Sequence, residues 1–275
     1  MDLRSHLTAA QVESGAKVLD YQPFILSDDL QTGVAYSWIR GGDPRDKPPL
    51  VFRRDEWLDE WEKISTANAA LRHMYDDFIE EIARRYPGGS LLDIACNNGY
   101  FPVRAELAGM RHCAGVELGR HHRYAMRFLN DALGTSATFV HGRYDWKRRS
   151  IIPLWRSWLS RPILGRFDVV VASAIMCHLP DPLEFLAALG CVAQEAIFFW
   201  GQIVESRDML IAFNPPHPTL GEAHPFPYGF NDNTRLSRGL FDFSMRQMGF
   251  REIIEIAPRA SWLPFPDHVA LLARR

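Results

Sequence analysis

LLDIACNNGYFPVRAELAG, residues 91–109, is the stretch whose reading decides the fold. An apolar strand runs into a turn of small and turn-favouring residues, and a helical pattern follows. In a doubly wound sheet such a turn lies at the carboxyl edge of the strands, where ligands bind. Outward from it, strand-like apolar runs recur at 90–95, 112–117, 137–141, 167–173 and 195–201, with candidate helices at 101–109, 120–133 and 182–189. Short apolar strands interleaved with helices predict βαβ units and a parallel sheet buried on both faces. A helix at 236–248 and strand-like runs at 250–257 and 267–273 close the chain and bring the expected strands to seven. A closing β–α–β–β group points away from the six-stranded dinucleotide fold.

Upstream, Leu71, Met74, Tyr75, Phe78, Ile79, Ile82 and Tyr86 recur at helical spacing until Pro87-Gly88-Gly89, so regular structure is expected from about Asn68. Residues 1–60 read as irregular, with loop signals at Gly41-Gly42-Asp43-Pro44 and Pro48-Pro49. The expected organisation is a lead or cap over 1–67 and one main domain over 68–275 carrying insertions at 143–166 and 203–234. The 275 residues are 47% apolar, enough for a sizeable core, and a net charge of −2 gives no general reason to expect nucleic acid. No uncharged apolar stretch is long enough to span a bilayer, and MDLRSHLTAAQVESGAKVLD lacks the apolar run of a signal peptide. Cys96, Cys113, Cys177 and Cys191 form no C-x-x-C pair. Reduced thiols and a cytoplasmic location are the expectation.

Twenty-four residues past Asp93 a second strand ends in Glu117, the spacing of an acid that grips ribose hydroxyls. The segment resembles the first motif of the class I S-adenosylmethionine-dependent methyltransferases, roughly D-x-G-x-G-x-G. Ala95, Asn97 and Gly99 stand at its glycine positions. Ala95 should then need a conformation acceptable to a Cβ, whereas Asn97 tolerates the left-handed region better than most residues. A pyrophosphate fingerprint would place a glycine at position 102, which is Pro102. ATFVHGRYDW (137–146) is similar to the third motif, FDVVVASAIMCHLPDPLEFLAAL (167–189) to the fourth, and MRQMGFREIIEI with HVALLAR to the closing helix and strands.

That resemblance implies a Rossmann-like doubly wound seven-stranded sheet, mostly parallel with an antiparallel last strand. It implies S-adenosyl-L-methionine as cofactor and S-adenosyl-L-homocysteine (SAH) as product. Asp93, Ala95, Cys96, Asn97, Gly99, Tyr100, Glu117, Leu118, Tyr144, Asp145, Ser173 and Ala174 would hold the cofactor, with Asp145 at the adenine amino group. The nearest likeness is to the group containing tRNA wobble-uridine carboxymethyl-transferring enzymes and bacterial natural-product methyltransferases.

His178, just past the fourth strand, is the candidate base, weighed against a role in packing its loop. Asp181-Pro182-Leu183-Glu184 reads as a helix cap. His217, His224 and Tyr228, with Trp38 of the aromatic lead (Tyr36, Trp38, Trp57), are candidates to line an acceptor pocket; no metal site is expected. Residues 143–166 hold seven cationic residues against Asp145, a local charge of +6 interleaved with Trp146, Trp155 and Trp158. An inserted helix bolted to the core is favoured over a phosphate- or membrane-binding surface. The expectation is methyl transfer to a small-molecule acceptor (oxygen, nitrogen or carbon) in secondary metabolism, by a monomer or homodimer. The alternatives are a tRNA-modifying enzyme using 143–166 and a non-catalytic cofactor-binding domain.

Overall fold

The computed structural model describes residues 1–40, 49–145, 150–153, 165–179, 181–213, 234–265 and 267–275, with backbone alone for 143–145, 150–153 and 213. In chain order come α1 (Ala9–Ala16), β1 (Ile25–Ser27), β2 (Leu30–Thr32), α2 (Ala35–Arg40), β3 (Val51–Arg53), α3 (Trp61–Arg85) and β4 (Ser90–Ile94). Next are α4 (Tyr100–Leu107), β5 (Arg111–Glu117), α5 (His122–Leu133), β6 (Thr138–Asp145), β7 (Ser150–Pro153) and β8 (Phe167–Ser173). Then follow α6 (Pro182–Val192), β9 (Ala193–Val204), β10 (Ile211–Phe213), β11 (Thr234–Ser237), α7 (Arg238–Gln247), β12 (Glu252–Glu255) and β13 (His268–Arg274). The class is α/β, with a large mostly parallel sheet and an antiparallel last strand.

The chain divides into two compact units. One comprises Met1–Gly89, Cys96–His141 and Arg259–Pro264. Here the lead is structured, contrary to the irregular reading of residues 1–60: β1, β2 and β3 form an antiparallel sheet. Three-residue strands are too short to show a period. One signal was present, since Thr8 and Gln11 close a capping box on α1. Tyr36, expected in a cap, lies in this unit's core, edge-to-face on Phe52 at 5.9 Å. α3 starts at Trp61, about two turns before Asn68, where regular structure was expected. It buries Ile64, Leu71, Met74, Tyr75, Phe78, Ile79 and Ile82 along one face. Trp262 packs edge-on against Phe78 at 4.9 Å and donates its indole N–H to Asp77 Oδ2 at 2.6 Å. β5 and β6 run parallel, Ala114 opposite Thr138 and Glu117 opposite His141.

The other unit comprises Ser90–Ala95, Gly142–Pro258 and Phe265–Arg275. β8 lies between β4 and β9, parallel to both, with Asp93 opposite Val171 and Ser173 opposite Trp200. Val169, Val170, Val171, Ala172, Ile197, Phe198 and Phe199 are all buried, as strands covered on both faces require. β13 runs antiparallel along β9, and β12 pairs with β13. Three strands fall outside expectation. β11 runs parallel to β9 from Leu236 opposite Ile203, and β10 pairs antiparallel with β11. β7 folds back on β6, Tyr144 opposite Ile151, so 150–153 is extended where an inserted helix was expected. Residues 154–164, with Trp155 and Trp158, lie outside the described residues.

Candidate cofactor site

The turn after β4 departs from ordinary backbone three times. Ala95 has φ 64°, Asn97 φ 49° and Gly99 φ 90°. Asn97 adopts the left-handed conformation its type tolerates. Ala95 corrects the reading of its position: it sits in the left-handed region despite its Cβ. That conformation costs an L-residue about 1–2 kcal/mol, and such strain concentrates where a ligand must be met.

The first unit holds Cys96, Asn97, Gly99, Tyr100, Glu117 and Leu118 of the expected cofactor residues, and the backbone of Asn97 and Leu118 meets one carboxylate. Glu117 Oε2 accepts the Asn97 amide at 3.0 Å, while Oε1 accepts the amides of Leu118 (2.7 Å) and Gly119 (3.2 Å). Glu117 is half-buried, and Oε2, which accepts a single amide, retains lone-pair capacity for a further donor. Beside it Asn97 Oδ1 is buried without a hydrogen-bond partner among the described residues. A buried, unpaired amide oxygen is costly unless a donor arrives. Leu118 is exposed, and its carbonyl accepts from His141 Nε2 at 3.0 Å.

Two candidates turn inward. Cys96 is fully buried; its amide donates to Val116 O at 3.1 Å and its side chain packs on Gly115. Tyr100 is buried with its hydroxyl on Asp76 at 2.9 Å, and burial pushes the phenol pKa up. Their backbone, not their side chains, lines the turn. Trp38, in α2, stands edge-on to Tyr21 at 6.0 Å.

In the second unit Asp93 is buried at the end of β4. Past Ser173 the chain turns at Ala174, again left-handed at φ 52°, whose amide donates to Trp200 O at 2.7 Å. A short 3-10 turn, Met176–His178, follows and leaves the candidate base His178 exposed. Asp181 caps α6 by accepting the Glu184 amide at 2.9 Å, with Pro182 at the first position. For Tyr144 and Asp145 the backbone is in β6 and the side chains lie outside the described residues, as do His217, His224 and Tyr228.

Four residues escaped the sequence reading. Gly115 must be glycine: a Cβ there would stand 2.5 Å from Cys96 Sγ. A glycine inside the apolar run HCAGVE was a readable sign of close approach. Asn98, Gln22 and His122 had no such sign. Asn98 is fully buried, its side chain bonded to residues 18–22 and to His122. Gln22 Oε1 accepts the Tyr100 amide at 3.0 Å. Residues 18–22 are more than 70 residues from Asn98 and Tyr100 in the chain, and His122 is 24 from Asn98, out of reach of any local pattern.

A family model described as a methyltransferase domain matches residues 67–195. A curated relative, the ubiquinone biosynthesis O-methyltransferase of Hahella chejuensis (strain KCTC 2396), is 29% identical over 118 residues. That stretch is 43% of this chain and 44% of the relative, so the chain spans under half of that protein's length. Among solved structures, magnesium protoporphyrin IX methyltransferase from Synechocystis PCC 6803 with bound SAH superposes with a TM-score of 0.50 at 15% identity. It covers 81% of this chain and 97% of that one. An O-methyltransferase family protein from Burkholderia thailandensis also gives 0.50, at 14% identity, over 78% of this chain and 59% of that one. At such identities the likeness speaks for the fold. Residues 67–195 thus match a methyltransferase-domain model, and the fold is of the Rossmann-like kind found in solved methyltransferases.

Proposed function

We propose that this chain binds S-adenosylmethionine in the turn 95–99 and transfers its methyl group to a small-molecule acceptor. The observation that carries the proposal is the pairing of Glu117 with Asn97 at that turn. One half-buried carboxylate fixes the left-handed backbone and keeps acceptor capacity, and an unpaired buried amide oxygen stands beside it. This arrangement fits a ligand bearing a vicinal diol and an ammonium group. Glu117 would accept from the ribose hydroxyls, and Asn97 Oδ1 would receive a donor. Asp93, Ala95, Cys96, Gly99, Tyr100 and Leu118 would contribute backbone and shape, Ser173 and Ala174 the rim, and Tyr144 and Asp145 the adenine end.

When bound, the cofactor supplies an electrophilic sulfonium methyl. What the protein adds is mostly orientation, worth up to about 7–11 kcal/mol in well-aligned systems. His178 would take the acceptor's proton where the nucleophile enters protonated. Residues 1–67 would serve as lead and cap to the domain over 68–275, and Trp38, His217, His224 and Tyr228 are the residues proposed for the acceptor. The name of the Hahella relative concerns an O-methylation in ubiquinone biosynthesis, which favours an oxygen nucleophile on a small molecule here. Secondary metabolism is the proposed setting.

Isothermal titration with S-adenosylmethionine and SAH tests the proposal, followed by an acceptor screen that reads SAH release. Saturable binding of both is expected. A folded protein that binds neither refutes it, and binding with no turnover across a broad phenol, amine and carboxylate panel leaves a cofactor-binding domain instead.

A further inference from the structure

The lead meets the candidate cofactor turn at the Asn98 side chain. Asn98 Oδ1 faces the backbone amides of Asp20 (3.4 Å), Tyr21 (3.2 Å) and Gln22 (3.5 Å). Its Nδ2 donates to Val18 O at 3.4 Å and lies 3.3 Å from His122 Nδ1. Each contact is long, yet together they occupy every position of a fully buried amide. Gln22 returns the connection by capping the Tyr100 amide, a donor at the start of α4 that has no partner within the helix. Asn98 also sits between Asn97, with its unpaired Oδ1, and Gly99, so the turn cannot shift without moving the strap 18–22.

We propose that Asn98 is a positioning residue that makes residues 18–22 part of the cofactor site, so that docking of this strap and occupation of the turn are one coupled equilibrium. The inference rests on the cofactor reading above. By linkage, whatever loosens the strap weakens the cofactor, and the cofactor in turn holds the strap. The coupling carries a pH sense of its own. Asn98 Nδ2 is a donor only, so His122 Nδ1 must be an unprotonated acceptor. The titratable groups facing His122 are His121, its ring 3.9 Å away, Glu117 at the end of β5, and Asp20 in the strap. Burial keeps the His122 pKa below its ordinary value. Protonation puts a second donor against the Asn98 amide and opposes the docked strap.

The test combines SAH titration at pH 7.5 and 5.5 with hydrogen exchange of the peptide covering 18–24. In the wild type, SAH is expected to slow exchange at residues 20–22, and affinity to fall at the lower pH. Asn98→Ala is expected to raise the Kd at least about tenfold and abolish the SAH-dependent protection. Asn98→Asp keeps an acceptor for the strap amides but presents an oxygen to His122, which then favours the protonated ring. Its affinity is expected to rise as pH falls, the reverse of the wild type and a sign that mere structural damage would not produce. Should Asn98→Ala not fold, Gln22→Ala, which removes only the cap on Tyr100, is expected to weaken SAH and cut strap protection. A folded Asn98→Ala or Gln22→Ala protein with wild-type affinity and protection overturns the inference, as does an Asn98→Asp protein with the wild-type pH slope. A wild type that does not bind SAH at all refutes the cofactor reading, and this inference with it.

Discussion

At Ala95 the chain holds an alanine where the local backbone asks for glycine, at φ 64°. Glycine pays no Cβ penalty there, so Ala95→Gly should stabilise the protein by about 1 kcal/mol, the strain of about 1–2 kcal/mol less the added freedom of the unfolded chain. For a protein of this size that raises Tm by roughly 2–4 °C. A melt showing Ala95→Gly less stable than the wild type would mean the Cβ is held by contacts worth more than its strain. Glu117 is the residue on which the cofactor proposal stands most directly. Glu117→Ala strips an acceptor from three backbone amides as well as from the ligand. SAH affinity is expected to fall tenfold to a hundredfold, about 1.5–3 kcal/mol for a hydrogen bond to a charged group. An unchanged titration by a folded Glu117→Ala protein would remove that residue from the site.

Elements were easiest to read where the pattern was long. β4, β5, β8, β9 and β13 and helices α4 to α7 lie within a few residues of expectation, because each carries enough apolar positions to set a period. The three- and four-residue strands β1, β2, β3, β7, β10 and β11 owe their existence to a neighbour and carry no such signal. Two elements yield sharp expectations. Asp181 caps α6, so Asp181→Ala should lower stability by about 1 kcal/mol and leave SAH affinity alone. Loss of SAH binding in that variant, with stability intact, would move Asp181 into the site. On β5, Gly115→Ala would drive a Cβ into Cys96 and push the turn off its backbone. Weaker SAH binding together with a lower Tm is expected, and a variant neutral in both would show that the turn can retreat at no cost.

At the scale of the whole molecule, His268 and His122 contribute to the response to acid. His268, packed against Trp200 and Phe265 at 5.2 and 4.7 Å, has its pKa pushed down to about 4 by burial. Above pH 6.5 the ring is neutral in both folded and unfolded chains. Between 6.5 and about 4 only the unfolded chain takes up the proton, so stability falls as pH falls through that window and levels off below it. His122, also held down by burial, acts in the same direction. The urea midpoint should therefore drop on going from pH 7 to pH 4.5, and His268→Phe, which keeps the ring contacts, should flatten part of that drop. An identical pH profile in His268→Phe would show that His268 does not contribute. Among the described residues no helix is long and apolar enough to cross a membrane, consistent with the composition.

By itself the sequence determined the alternation of strands and helices, and with it the class of fold and the place of the turn proposed to meet the cofactor. Those depend on apolar period and on small residues at fixed offsets, which are local properties. It placed Glu117 at that turn by spacing, and Asn97 by what its side chain tolerates. The tertiary structure alone decided that Ala95 would be strained, because a backbone dihedral there is set by the whole turn and not by the residue's own preference. It alone turned Cys96 and Tyr100 inward, since burial depends on what another segment brings opposite them. And it alone joined residues 18–22 to Asn98, because a hydrogen bond across more than 70 residues leaves no trace in the spacing of either partner.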